Sequence, residues 1–170
     1  QYGPIKSAEK KHNLRVKEIV ELKKAGAREL GKLNKRDLWL LGLGLYLGEG
    51  TKSHEIVRVI NSNPEIVRLA IKWFKDVCGA AEDNITISLL LYPDNNPKQC
   101  MHFWQKVTGL PIQNFRKSHI DYRKNKLSIK NGKLPYGTAH ITIIGNGNPE
   151  KGVRLHRKIV GWMTGALSQM

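Results

Sequence analysis

The spacing of apolar and polar positions divides the chain into segments of helical and strand period. Apolar residues recur every three to four positions in some segments and at every second position in others, which separates amphipathic helices from half-buried strands. The predicted helices cover residues 7–31, 35–48, 64–78, 97–108 and 151–167, and the predicted strands cover residues 55–61, 84–92, 114–123 and 137–145. This order predicts an α+β fold in which the strands share one sheet and the helices pack on one face.

Local signals support these boundaries. Asn34, followed three residues later by Asp37, resembles a capping box at the start of the second helix. Asn-Pro pairs at 63–64 and 96–97 place proline at the first position of two further helices. An Asn-Gly pair at 131–132 predicts a tight turn. The helical faces predict that three tryptophans belong to the core rather than to a stacking surface, namely Trp73, Trp104 and Trp162.

The chain is predicted to consist of a basic N-terminal helical arm, residues 1–31, and a single domain, residues 32–170. The arm carries a thin apolar stripe among many lysines and arginines. A solvated amphipathic helix and a DNA-contacting arm both explain that pattern. The sequence starts without an initiator methionine, which indicates a fragment or a trimmed chain.

Residues 38–50 form the most informative segment, because they are apolar on every side and are therefore predicted to be buried all round. Glycine inside a helix costs roughly 0.5–1 kcal/mol relative to alanine. Gly44 and Gly48 lie four residues apart on one face, where small residues allow a second backbone to approach closely. Since the chain holds one such helix, its predicted partner is the same helix of a second copy. The predicted homodimer interface contains Leu41, Gly44, Leu45 and Gly48.

Glu49 ends this helix at the negative pole of the helix dipole, which is an unfavourable position for a carboxylate. A divalent cation would reverse the sign of the interaction, and carboxylate and carbonyl oxygens are good ligands for Mg²⁺. Two such carboxylates from two copies, facing a phosphodiester, would make a nuclease site. A surface glutamate whose charge is offset by Lys52 is the simpler interpretation.

Composition narrows the class of partner. The chain has 29 lysines and arginines against 14 acids, a net charge of +15, and a pI near 10.0. Such an excess indicates a polyanion, and we consider nucleic acid, an anionic membrane surface and polyphosphate. Cys78 and Cys100 are too few for a disulfide scaffold and lack the spacing of a zinc site. No secretory signal is present and the longest apolar run falls short of the about 20 residues of a membrane span, so we expect a soluble intracellular protein with no membrane partner.

A basic segment supplies the predicted DNA-reading surface. Seven of the twenty residues at 114–133 are lysine or arginine, and Asp121 is the single acid among them. One interpretation of this segment is a two-stranded ribbon, which fits the major groove of DNA. The alternative is a flexible basic loop. Arg58 and His140 lie on other strands that can share this surface. The predicted DNA-binding residues are Arg58, Arg116, Lys117, His119, Arg123, Lys124, Lys126, Lys130, Lys133 and His140.

Residues 42–50, Gly-Leu-Gly-Leu-Tyr-Leu-Gly-Glu-Gly, resemble the signature helix of the LAGLIDADG homing endonucleases, in the Leu-Tyr-x-Gly-Glu-Gly form. The segments at 61–65 and 136–138 and the order of elements are also similar. The resemblance covers about residues 35–167 and implies an antiparallel β-saddle with helices on one face. It also implies a homodimer that binds a long, near-palindromic double-stranded DNA site and cleaves it with Mg²⁺ or another divalent cation.

Carried over by position, the resemblance gives Glu49 the role of the metal-binding, catalytic acid and gives Gly44 and Gly48 the packing positions. Lys151 lies just before the last helix, where family members place a basic active-site residue, and Lys117 and Lys52 are alternatives. This sequence departs from the motif in two places. It has Leu47 at the position of the first acid, and it has glutamate in place of aspartate at position 49.

We therefore expect a site-specific, metal-dependent DNA endonuclease. The first alternative is a non-cleaving, sequence-specific DNA-binding regulator with the same fold, because the sequence supports binding more strongly than cutting. An RNA-binding splicing helper is a weaker alternative. A membrane-surface protein is disfavoured, because the basic helices lack a strong apolar face.

Overall fold

The computed structural model describes residues 3–122 and 132–170. Within it the chain divides into two compact units, Gln1–Asp37 and Leu38–Met170. The division falls shortly after the boundary that we predicted at residue 31. In the described part, no helix has both the length and the apolar character needed to cross a membrane.

The first unit consists of helix α1, Gly3–Leu30, and the start of the next helix. Gly26 lies inside α1, and Gly31 ends the helix with a φ of +66°. The predicted capping box is confirmed. Asn34 N–H donates to Asp37 Oδ2 at 2.8 Å, and Asp37 N–H donates to Asn34 Oδ1 at 3.0 Å.

The elements that follow are α2 Lys35–Glu49, β1 Arg58–Asn61, α3 Pro64–Asp76, β2 Ile85–Leu91, α4 Pro97–Thr108, β3 His119–Ile120, β4 Thr138–Ile143 and α5 Val153–Leu167. This order confirms the predicted succession of helices and strands. The strands are shorter than predicted, most of all β1 and β3. His54 and Glu55 adopt left-handed backbone conformations that delay β1, and a 3-10 turn at Ile112–Asn114 delays β3.

The four strands form one sheet in the order β1-β4-β2-β3. β4 pairs antiparallel with both β1 and β2, whereas β3 pairs parallel with β2. The fold is thus α+β as predicted, but the sheet is mixed and not the fully antiparallel saddle that we expected. The reason is topological: α4 connects β2 to β3, and a helical crossover returns the chain in the same direction.

One face of the sheet supplies the core. Ile85, Ile87, Leu89 and Leu91 alternate inward along β2 as predicted, and β4 contributes Ala139, Ile141 and Ile143. These residues pack in one cluster with the inner sides of α2, α3, α4 and α5. Trp73 and Trp104 lie fully inside it, and Trp162 packs against it, as the helical faces predicted.

Candidate functional site

Helix α2 has a buried side and an exposed side, so the prediction that it is buried all round is wrong for a single chain. Gly42, Leu43 and Tyr46 lie in the core. On the other side Leu40, Leu41 and Leu47 are 45%, 46% and 42% exposed. Gly44 and Gly48 are exposed between these leucines, and Leu45 is half-buried. The structure therefore leaves one apolar side of α2 in solvent, and that side holds the predicted interface residues.

The glycines of α2, together with Gly50 just after it, fall into two classes. A Cβ on Gly42 would lie 1.9 Å from Trp73 Cδ1, and a Cβ on Gly50 would lie 2.5 Å from Tyr46 Cγ, so the protein's own packing requires glycine at both positions. A Cβ on Gly44 or Gly48 would meet no described atom within 4 Å. The internal packing therefore explains the first two glycines and leaves the second two unexplained.

The turn that follows Glu49 is fixed from inside the protein. Thr51 N–H donates to the Arg58 carbonyl at 2.9 Å, and Gly50 forms a bridge to Val59. The Tyr46 hydroxyl donates to the Thr51 carbonyl at 2.7 Å. Burial raises the pKa of Tyr46 to about 12, so this hydroxyl keeps its proton at neutral pH. Our sequence analysis missed this positioning role, although Tyr46 carries the one hydroxyl between residues 38 and 49.

Glu49 itself is exposed, and it makes no hydrogen bond or ion pair with the residues that the structure describes. The last turn of α2 contains no basic residue, and Lys52 forms no ion pair with Glu49. Since Thr51 N–H turns toward Arg58, the Leu47 carbonyl lacks the donor that a continued helix would supply. The end of α2 is thus an unneutralised negative pole in a strongly basic protein.

One copy of the chain offers few metal ligands. The described ranges contain no group of three or more His, Cys, Asp or Glu side chains that could hold a metal ion. Glu49 and the carbonyls at the end of α2 are oxygen donors, which suit Mg²⁺. The donor chemistry therefore fits a divalent cation, and a second carboxylate or a phosphate would add to the ligands that the described residues supply.

Lys151 has a structural partner. Its Nζ donates to the Cys78 carbonyl at 3.0 Å, just beyond the end of α3, and a Cβ on Gly79 would lie 2.9 Å from the same nitrogen. A lysine there stabilises the negative end of α3. Its role as a basic active-site residue stays a prediction. The alternatives Lys52 and Lys117 are both exposed.

The face of the sheet opposite the core brings together three of the predicted DNA-binding residues. In register, Arg58 lies opposite Thr142, and His140 lies between Ile60 and Ser88. Leu90 pairs with both Thr138 and His119, which places His119 on the same face. Arg58 Nε donates to Thr142 Oγ1 at 2.9 Å, so the guanidinium is held against the sheet.

The other predicted DNA-binding residues lie outside the strand register that places these three side chains. Arg116, Lys117 and Lys133 are exposed in the connections around β3 and β4. The turn at 131–132 is described only in part. The tip of the predicted ribbon, with Arg123, Lys124, Lys126 and Lys130, lies outside the described residues. Within the described part of 114–133, His119 and Ile120 form β3, which pairs parallel with Leu90 and Leu91 of β2.

His140 supplies a test of this face by pH. Burial lowers the pKa of His140, and the charges of Arg58 and His119 lower it further. A histidine in the unfolded chain titrates at about pH 6.5, so below that pH the unfolded state binds more protons than the folded state. The contribution of His140 to stability is therefore fully present above about pH 6.5 and is lost as the pH falls toward the lower folded pKa.

We expect the urea midpoint of unfolding to fall between pH 7.5 and pH 5.5, and we expect His140→Gln to reduce that fall. The exposed His102→Gln serves as the matched control and should retain the full pH dependence. Identical profiles for the wild type and His140→Gln would show that another group is responsible.

Comparison with known proteins adds no relative. No protein-family model, curated protein or solved structure matches this chain.

Proposed function

We propose that this protein is a LAGLIDADG-type endonuclease that dimerises through α2 and cleaves double-stranded DNA at a near-palindromic site. The observation that carries the proposal is the exposed side of α2, where Gly44 and Gly48 lie among leucines and Glu49 follows with no partner in the described chain. A helix that exposes apolar side chains beside unexplained glycines is suited to a close helix–helix contact.

The proposed contact is symmetric. In a dimer with a two-fold axis, the same patch contacts itself, so Gly44 and Gly48 of each copy would lie against α2 of the other. Burial of Leu40, Leu41 and Leu47 would contribute about 25 cal/mol per Å² of apolar surface removed from water. This energy is available because these leucines are more than two-fifths exposed in the single chain.

The same symmetry would bring together two Glu49 carboxylates at the ends of the paired helices. These carboxylates, with carbonyls of the last turn of α2, are the groups that would hold the divalent cation. The cation supplies activation of water and stabilisation of the charge that develops on the phosphate. The chain's own contribution is to fix the helix end, which the Tyr46 hydroxyl and the bridge from Gly50 to Val59 achieve.

The net charge of +15 and the face of the sheet that carries Arg58, His119 and His140 support DNA as the substrate. Phosphate contacts by lysine and arginine supply affinity, while side chains on strands can contact base edges in the major groove. The sheet face supplies a rigid support for those contacts, because side chains in register on neighbouring strands hold fixed positions.

The test is cleavage of a randomised double-stranded DNA library in the presence of Mg²⁺, read by sequencing. We expect Glu49→Gln to lower the cleavage rate by about 100-fold or more, because it removes the ligand charge at the reacting phosphate. The affinity for uncleaved DNA should stay unchanged or rise. Glu65→Gln is the matched control, because Glu65 is an exposed carboxylate that already forms an ion pair with Arg68. Equal cleavage by Glu49→Gln and wild type would exclude Glu49 as the catalytic acid.

A non-cleaving DNA-binding regulator is the second candidate. It is favoured by the small number of metal ligands that the described chain provides, and by Leu47 and Glu49 at the two acidic positions of the motif. Sequence-selective binding with no cleavage in either Mg²⁺ or Mn²⁺ would establish the regulator and exclude the nuclease.

A further inference from the structure

The outer side of α4 carries a row of basic side chains that our sequence analysis did not single out. Lys98, His102 and Lys106 follow one another at intervals of four residues and are all exposed. Four residues of an α-helix rise about 6 Å, so the row extends about 12 Å along one side of α4. The spacing of these residues can be read from the sequence, but the position of the row beside an aromatic pair cannot.

The aromatic pair lies next to this row. The rings of Phe103 and Tyr136 are stacked, with their centroids 3.7 Å apart and their planes inclined by 4°. Tyr136 is 39% exposed. Its backbone is fixed, because the indole Nε1 of the buried Trp104 donates to the Tyr136 carbonyl at 2.8 Å. The pair and the basic row line a shallow cavity of about 520 Å³, together with Gln99.

The charges on α4 are not neutralised within the described chain. On α3, Lys72 pairs with Asp76 at 2.6 Å, Lys75 pairs with Glu82 at 3.3 Å, and Arg68 pairs with Glu65. None of the three basic side chains of the α4 row forms an ion pair with a described residue, and residues 95–120 contain no aspartate or glutamate. This cavity therefore combines uncompensated positive charge with an exposed aromatic ring.

The cavity lies on a different side of the domain from the DNA-binding face of the sheet. Cys100 and Trp104, on the inner side of α4, are buried in the core with the inward residues of β2 and β4. The basic row is on the outer side of α4, whereas Arg58 and His140 lie on the sheet face that points away from the core. A duplex on that sheet face leaves the α4 cavity free for a second ligand.

We propose that this α4 cavity binds an unpaired, single-stranded segment of nucleic acid. A base stacks on the exposed Tyr136, which extends the stack that Phe103 begins, and the flanking phosphates contact Lys98 and Lys106. Single-strand sites combine these two components, a basic track for the backbone and an aromatic ring for the base. Bases of an intact duplex are stacked on one another and cannot reach the ring, so the cavity selects single strands.

The test measures binding of a fluorescent oligothymidylate of about 12 nucleotides by anisotropy, across a range of salt concentrations. We expect Tyr136→Leu to weaken binding by about tenfold, because leucine can still pack on Phe103 but offers no aromatic face. Tyr136→Phe should bind within about twofold of the wild type. Circular dichroism of each variant checks that the domain remains folded.

The lysines are tested by their effect on salt dependence. Lys98→Gln combined with Lys106→Gln should reduce the slope of log K against log salt by about 1.4, the loss of two contacts to single-strand phosphates. The matched control is Lys72→Gln combined with Lys75→Gln, which removes the same charge from lysines that are already ion-paired. This control should leave the slope unchanged.

Three results would overturn the proposal. The first is equal binding by Tyr136→Leu and Tyr136→Phe. The second is displacement of the oligonucleotide by polyglutamate at an equal charge concentration, which would mean that the row attracts any polyanion. The third is loss of single-strand binding in Arg58→Gln, which would place the strand on the sheet face. None of these results depends on duplex binding or cleavage, so failure of the proposed endonuclease activity is recognised separately.

Discussion

Replacing Gly44 with leucine is expected to weaken the proposed dimer strongly while leaving the protomer folded. A two-fold interface contains each substitution twice, and overpacking a close contact costs about 1–3 kcal/mol per site. We therefore expect the dissociation constant of the proposed dimer to rise by about 30-fold or more. The free energy of unfolding of the isolated protomer should rise by up to about 1 kcal/mol, because leucine has a higher helix propensity than glycine. A Cβ on Gly44 meets no described atom within 4 Å, so the leucine side chain can be accommodated in the protomer.

Sedimentation velocity over a range of protein concentrations measures the dimer, and urea unfolding at the lowest concentration measures the protomer. Gly161→Leu is the matched control. Gly161 lies exposed in α5, and a Cβ there would also meet no described atom within 4 Å, so this change should bring the same helix stabilisation and leave the dimer intact. If the wild-type protein stays monomeric both with and without DNA, the symmetric dimer is excluded.

Gly42→Ala, on the opposite side of the same helix, is expected to destabilise the domain by about 2 kcal/mol, because an overpacking cost of about 3 kcal/mol exceeds a gain in helix propensity of about 1 kcal/mol. The added methyl group would lie 1.9 Å from Trp73 Cδ1. Trp73 cannot easily withdraw, because it is 1% exposed and its Nε1 donates to the Trp39 carbonyl at 3.1 Å. The rings of Tyr46 and Phe74 also lie within 5.9 Å of its ring, measured between centroids.

Urea unfolding followed by tryptophan fluorescence measures this effect. Gly44→Ala is the control, since it adds the same methyl group two residues away on the exposed side, and it should stabilise the protomer slightly. The two alanine variants are thus expected to change the free energy of unfolding in opposite directions. A change of the same sign in both would mean that helix propensity, and not contact with Trp73, determines the outcome.

The parts of the fold that could be predicted from the sequence depend on local chemistry. Asn63 and Asn96 cap α3 and α4 with proline at the first helical position, and Gly109 ends α4 in the left-handed conformation, as the residue types require. The alternation in β2 is equally local, because a two-residue period places every second side chain on one face. These features form wherever such residues occur in that order.

The parts that could not be predicted depend on contacts between distant segments. The direction of β3 follows from its pairing with Leu90 and Leu91 across the α4 crossover, which no local pattern encodes. The partial exposure of α2 is a second case. The residues of α2 are apolar all round, so the sequence pattern predicts burial on every side. The core of one chain has room for only one side of the helix, and the other side is exposed.

The candidate site shows the same division. The sequence identified Glu49 and the spacing of Gly44 and Gly48 because both are written in one helix. It did not separate the glycines that Trp73 and Tyr46 require from those that the chain leaves unexplained, since that distinction depends on which side chains face each position. It also did not assign Lys151 to the Cys78 carbonyl, because the two residues are far apart in the chain.

The exposed leucines of α2 also make formation of the proposed dimer depend on the concentration of the protein. Because the proposed contact consists of one helix from each copy, few dimers form when the protein concentration is low. Each monomer then exposes an apolar strip on α2. A DNA molecule with two half-sites would hold two copies side by side, and tethering of this kind raises their mutual concentration to the millimolar range. If the endonuclease hypothesis is correct, the active dimer would form on its target DNA. Monomers that are not bound to the target would be inactive.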